Sequence, residues 1–288
     1  MSVGATMRPV DREAGVRDAC FKLLGTAVHV RTDSLDAVSM LDRVFDDLST
    51  NDAVPDIVYD LVSIGGGSRY ELRADGEELI KNVSVQDALA YLSWHVMREV
   101  VAGAPGVIVH AGAVAADERA IVMPGQSGAG KSTLVAGLLR AGLSYLSDEM
   151  AAFDPSGRVV PVPRALNLKR GTVALFPGIG GPDGARLRHL DGSMAVQPVD
   201  VGAAGASGAC PVAWIVAPRY VAGAPTELVP VTRARGLSDL ATNAFNLDVW
   251  ATAGFGTLAD VAARAKCFRL TFGDLDDAVR SLEALIRR

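Results

Sequence analysis

Apolar residues along the chain change their spacing repeatedly, and each change marks a new element. Residues 1 to about 18 are polar and mixed in charge, which predicts a loosely held start. Cys20 to Val30 carries short apolar runs of strand length. Ser34 then opens a stretch in which Leu35, Val38, Leu41, Val44, Phe45 and Leu48 recur at three- and four-residue steps, the period of a helix. Asn51 to Pro55 breaks that pattern, and Ile57 to Ile64 reads as a strand closed by Gly65-Gly66-Gly67. Tyr70, Leu72 and Ala74 alternate with charged residues up to Asp75-Gly76, a hairpin signal, and Leu79-Ile80 continue beyond it. These elements predict a small α+β module over residues 1–83. No Lys-Ser/Thr follows the three glycines, so they read as a turn.

A second unit, residues 84–288, is expected to begin with Ser84-Val85-Gln86-Asp87, which resembles a capping box. Leu89, Leu92, Val96 and Val100 share one face of the helix that follows, and it ends near Gly103. His95 lies on this helix and reads as a packed or surface residue. Gly106 to Ala115 is a strand-like run, Ala116 to Arg119 a turn, and Ala120 to Met123 a second run. So short a turn makes the two strands antiparallel, because a parallel return needs a crossover of about a dozen residues or more. A helix from about Lys131 to Ala141 and a strand Leu143 to Ser147 come next, the strand ending in Asp148-Glu149. Met150 to Pro163 reads as another hairpin around Asp154-Pro155-Ser156-Gly157. Residues 171–209 are glycine-rich and suggest a mobile loop or lid, with Arg186, Arg188 and His189 as solvated surface or as contacts to a phosphate or substrate. The strand Pro211 to Val221, helices around Leu240 and Leu258, the strand Cys267 to Phe272 and an amphipathic helix through Leu275, Val279, Leu282, Leu285 and Ile286 close the unit.

Composition narrows what such a chain can be. Of 288 residues, 49% are hydrophobic and 21% charged, a balance that supports a buried core rather than disorder. The net charge of −5, with no block of Lys or Arg, argues against a nucleic-acid partner held through its phosphates. Cys20, Cys210 and Cys267 are far apart and lack zinc or redox spacing, which fits a reducing cytosol. No signal-like run stands at the start and no window is apolar enough for a membrane helix, so the expected setting is cytoplasmic, without a membrane partner.

The chemistry concentrates in one place. Gly125-Gln126-Ser127-Gly128-Ala129-Gly130-Lys131-Ser132 fills the phosphate-loop pattern G-x-x-x-x-G-K-[ST], and Thr133 follows it. An apolar strand precedes the motif and a helix follows, the context it needs. Glycines let consecutive N–H groups face phosphate oxygens. Lys131 brings a mobile cation to the terminal phosphates, the Ser132 hydroxyl suits Mg²⁺, and the helix N-terminus adds its dipole. A helix of about eleven residues spans roughly 16 Å, so the following strand returns directly and brings Asp148-Glu149 to the phosphate edge. Neighbouring carboxylates on a strand point to opposite faces, so one is expected to face metal and phosphate while the other turns away.

Absences narrow the class further. There is no N-K-x-D motif to read a guanine base, no signature helix of a transporter ATPase, and the acidic strand end comes too early for a motor ATPase. A transferase that moves a γ-phosphoryl group to a small acceptor remains. Arg164, Lys169 and Arg219 are candidates for anchoring phosphate or acceptor. A nucleotide-binding regulatory or assembly protein, and a plain ATPase, remain open alternatives.

The succession His110-Ala111-Gly112, Gly125 to Thr133, then Leu146-Ser147-Asp148-Glu149 resembles the catalytic core of HPr kinase/phosphorylase and its relatives, whose fold is shared with phosphoenolpyruvate carboxykinase. Pro163-Arg164-Ala165-Leu166-Asn167-Leu168-Lys169 and Pro218-Arg219-Tyr220 resemble HPr-kinase-related proteins of biosynthetic clusters. The likeness covers about residues 105–220. It implies an α/β fold with a mixed-sheet P-loop kinase core and an ATP- and Mg²⁺-dependent kinase acting on an alcohol hydroxyl, on a serine of a peptide or protein or on a small molecule. A homo-oligomer is compatible with it. It further implies that Asp148 is the base, that His110 tunes it, that Lys131 holds phosphates, and that Ser132 and Glu149 hold Mg²⁺. Two departures are visible: Glu149 stands where the family has a second Asp, and Thr133 stands where the bifunctional enzymes have Glu. The resemblance is therefore to a relative of the carbon-catabolite enzyme.

Overall fold

The computed structural model describes residues 16–45, 54–177, 179, 193–203 and 208–287. The chain is mixed α/β. Its first sheet has five strands in sequence order: β1 (Arg17–Leu23), β2 (Thr26–Thr32), β3 (Ile57–Ser63), β4 (Tyr70–Ala74) and β5 (Glu77–Val83). β2 and β3 are parallel and are joined through helix α1 (Leu35–Phe45), whereas the other neighbours are antiparallel. Ser34 caps α1, its hydroxyl accepting the Ala37 N–H at 3.2 Å. Asp75 and Gly76 both have positive φ, as the two-residue β4–β5 turn requires.

Helix α2 (Val85–Gly103), assigned by its sequence to the second unit, packs on β2, β4 and β5 of this first sheet. Leu92, Val96 and Val100 join Val30, Tyr59, Leu61 and Leu72 in one core. That core runs on into Ile108 and Met150 of the second sheet and Val162 beyond it, so the two units share apolar packing.

The second sheet contains β6 (Ile108–Ala116), β7 (Arg119–Pro124), β8 (Ser144–Ser147), β9 (Met150–Phe153), β10 (Arg158–Val160), β13 (Cys210–Tyr220), β14 (Glu227–Pro230) and β15 (Lys266–Phe272). The order is β10-β9-β6-β7-β13-β15-β14, with β8 also paired to β6. β7, β13 and β15 run parallel, while β6 and β14 flank them antiparallel. The β6–β7 hairpin turns on Asp117 and Glu118, both at positive φ. Ile121 and Met123 of β7 face one apolar cluster with helices α3 (Lys131–Arg140) and α7 (Leu275–Ile286). Ala120 and Val122 face another cluster that includes residues of α5 (Arg233–Ala241) and α6 (Leu247–Arg264). A strand covered on both faces needs apolar residues without alternation, which is the pattern of Ala120 to Met123.

β11 (Leu166–Leu168) and β12 (Met194–Val196) form a separate two-stranded ribbon, and the short helix α4 (Arg170–Val173) follows β11. A 3-10 turn, Pro198–Val201, comes after β12. The glycine-rich stretch 171–209 is therefore not one continuous loop. Arg186, Arg188 and His189 lie outside the described residues. Among the described residues no helix is long and apolar enough to cross a membrane.

His95 is buried against the first sheet. Its Nδ1 is 2.8 Å from the Tyr59 hydroxyl and its Nε2 is 3.1 Å from Arg98 Nη2. Arginine only donates, so Nε2 accepts and the proton of the neutral ring sits on Nδ1. Burial, then Arg98, lowers the His95 pKa, with Glu99 opposing. A lowered histidine pKa means that the unfolded chain binds the proton first, so stability falls as pH drops below about 6.5. His95→Gln is expected to flatten that acid limb in urea unfolding measured between neutral pH and pH 5. An unchanged limb would contradict the assignment.

Candidate active site

β7 delivers the chain into the loop Gly125–Gly130, and α3 leaves it. Gly130 caps α3 in the left-handed region at φ 95°. A Cβ there would lie 2.7 Å from Phe272 Cζ, so both conformation and space demand glycine. Lys131, Ser132 and Thr133 begin the helix, and first-turn N–H groups lack intrahelical acceptors. Lys131 is 6% exposed and its Nζ donates back to the carbonyls of Gly125 at 2.7 Å and Gln126 at 3.1 Å. Burial lowers its pKa, while Glu149 and Asp148 push the other way. The ammonium thus rests on its own loop, on acceptors that a phosphate oxygen could replace. Ala129 N–H donates to Gln126 O, and Thr133 Oγ1 is 2.8 Å from Thr172 Oγ1 of α4.

The carboxylates enter from the other side of β7. β8 and β9 both pair antiparallel with β6, and Asp148-Glu149 is the interruption between them. The strand ends ahead of this pair, as its sequence suggested, and the next strand begins at Met150 on the same partner, β6. Because the pair lies outside strand geometry, opposite-face alternation does not apply, and both side chains line the same cleft. Asp148 is 1% exposed; Oδ1 accepts from the Tyr145 hydroxyl at 3.1 Å and Oδ2 from the Asn167 N–H at 3.0 Å. Burial raises its pKa, and Arg164 opposes that rise. Glu149 is more open, with Arg164 Nη2 at 3.4 Å from Oε2. Arg164 also donates Nη1 to Met97 Sδ at 3.3 Å.

His110 sits on β6 beside this pair. Its ring packs against Phe245 with centroids 5.3 Å apart, and its pKa is lowered by burial and then by Lys131. The β6 backbone is pinned here on both sides: Ala111 N–H donates to Glu149 O and His110 N–H to Asn243 O. Buried Asn246 adds a staple, accepting from Ile108 N–H and donating to Val101 O and Gly106 O.

These groups surround a cleft of about 780 Å³. His110, Ser127, Gly128, Gly130, Lys131, Ser132, Thr133, Asp148, Glu149 and Lys169 line it, as do residues the sequence did not single out: Arg140, Asn167, Thr172, Ser193, Tyr220 and Phe272 to Asp276. Arg164 stands behind Glu149. Arg219 is exposed on β13 and does not line the cleft, whereas the next residue, Tyr220, does. Alternation along β13 was the signal that could have separated the two. Among the described residues no group of three His, Cys, Asp or Glu is arranged to hold a metal ion. A hydroxyl and an open carboxylate, Ser132 and Glu149, nevertheless fit a hard cation that keeps most of its water and takes phosphate oxygens. No family model and no curated protein sequence matches the chain.

Gly130→Ala is expected to cost about 1–3 kcal/mol, from a left-handed alanine and the push against Phe272. Chemical denaturation checks this; unchanged stability would mean that the loop backbone is not held in this conformation.

Proposed function

We propose that this protein is an ATP- and Mg²⁺-dependent kinase, with an HPr-kinase-like P-loop core, that transfers a γ-phosphoryl group to an alcohol hydroxyl. One observation carries the reading: Lys131 on its phosphate loop and the buried carboxylate of Asp148 line one cleft. The first-turn N–H groups of α3 and Lys131 Nζ bind phosphate oxygens, the lysine exchanging its two loop carbonyls for them. Asp148 orients the acceptor hydroxyl and takes its proton. The hydroxyl oxygen of the acceptor bonds to the γ-phosphorus as the bond to the bridging oxygen breaks, and ADP leaves. A carboxylate whose pKa is raised by burial is a better proton acceptor than an exposed one. Tyr145 and Asn167 hold it in place, and Arg164 keeps it ionisable. His110, its ring against Phe245, walls the acceptor end. Bound Mg²⁺, held by Ser132 and Glu149, would supply charge neutralisation for the phosphates.

Labelled ATP offered with serine peptides, proteins and free hydroxy acids tests the reading. Asp148→Asn is expected to keep ATP affinity and lose about 10²–10⁴-fold in transfer, whereas Lys131→Ala loses binding as well. Equal loss of binding in both variants would contradict the role of Asp148. Release of phosphate with no acceptor labelled would make water the acceptor and end the kinase reading.

A further inference from the structure

We propose that Tyr220 is the stacking platform for the base of the bound nucleotide, an inference that rests on the phosphate-loop reading above. The sheet order sets the direction. His110, Asp148 and Glu149 belong to β6 and the β8–β9 break, on one side of β7, whereas β13 and β15 lie on its other side. A triphosphate whose reacting end faces the carboxylates must therefore run across the loop toward the ends of β13 and β15. From β6 to β13 is two strand spacings, about 10 Å, the length scale of an extended triphosphate.

An aromatic ring waits at that far end. Tyr220 lines the cleft and is 50% exposed. Isolated exposed aromatics are ordinary on protein surfaces, but this one is fastened to the phosphate loop. Its N–H donates to Ala129 O at 3.1 Å, and it is paired with Phe272 in the β13–β15 ladder. Its ring meets the Phe272 ring at 5.6 Å and 64°. Phe272 is 1% exposed and occupies the space left by the missing side chain of Gly130. The open face of Tyr220 is thus held by the same contacts that shape the loop, and a flat π-system is the ligand chemistry it suits.

Calorimetric titration of wild type, Tyr220→Ala and Tyr220→Phe with Mg-ATP and with inorganic tripolyphosphate separates the terms. Stacking on one aromatic ring corresponds to about a five- to hundredfold loss of ATP affinity in Tyr220→Ala. Tripolyphosphate affinity should not change, and Tyr220→Phe should match wild type with both probes. Undiminished ATP binding in Tyr220→Ala, or an equal loss of tripolyphosphate binding, would overturn the platform. If wild type binds tripolyphosphate as tightly as ATP, the platform falls while the phosphate loop stands. If it binds neither, both fall.

Discussion

Burial of the Asp148 carboxylate beside Lys131 is the constraint around which the site is arranged. An ionised carboxylate removed from water is costly unless hydrogen bonds and opposite charge replace its hydration. Here the replacements are the Tyr145 hydroxyl, the Asn167 N–H and the guanidinium of Arg164. Each comes from a different segment, so the acid ties β8, β11 and the stretch before β11 together. The compensation is partial, since burial still raises the carboxyl pKa. Lys131 is in the mirror situation: its charge is buried, its pKa is lowered, and two loop carbonyls satisfy it. Two groups each held away from their ordinary ionisation, in one cleft, is the arrangement that reaction sites favour.

β6 makes this arrangement possible. It pairs with the phosphate-loop strand on one side and with the interrupted β8–β9 strand on the other. A continuous strand would have sent one of the two carboxylates to the opposite face. The interruption lets both line the cleft. The segment 243–246 then fixes the end of β6 where His110 sits, through backbone bonds, the Asn246 staple and the Phe245 ring. Sequence separation hides that support, because Asn246 meets Ile108 from far along the chain.

What was legible in the sequence was local. Alternation, helical spacing and turn residues located most elements, though not β11, α4 or β12, and the two-residue hairpins at Asp75-Gly76 and Asp117-Glu118 followed from turn chemistry. The loop Gly125–Ser132 was legible because its glycines answer to backbone geometry within a few residues. That Asp148 and Glu149 share one cleft was not, since β8 and β9 are seen to flank the pair on one strand, β6, only once the pairing is known. β14 was missed because only one of its residues, Leu228, is even partly buried beside Glu227, Val229 and Pro230. Arg219 was chosen over Tyr220 because charge suggests phosphate; the phase of β13 against the cleft decides otherwise.

The most direct measurement is a crystal structure with a non-hydrolysable ATP analogue, Mg²⁺ and the acceptor found by labelling. The expected result is a γ-phosphate held by the Gly125–Thr133 backbone, with Lys131 Nζ moved from the Gly125 and Gln126 carbonyls onto it and the acceptor hydroxyl between it and Asp148. Phosphates bound away from the loop, or an acceptor hydroxyl out of reach of Asp148, would contradict the kinase assignment.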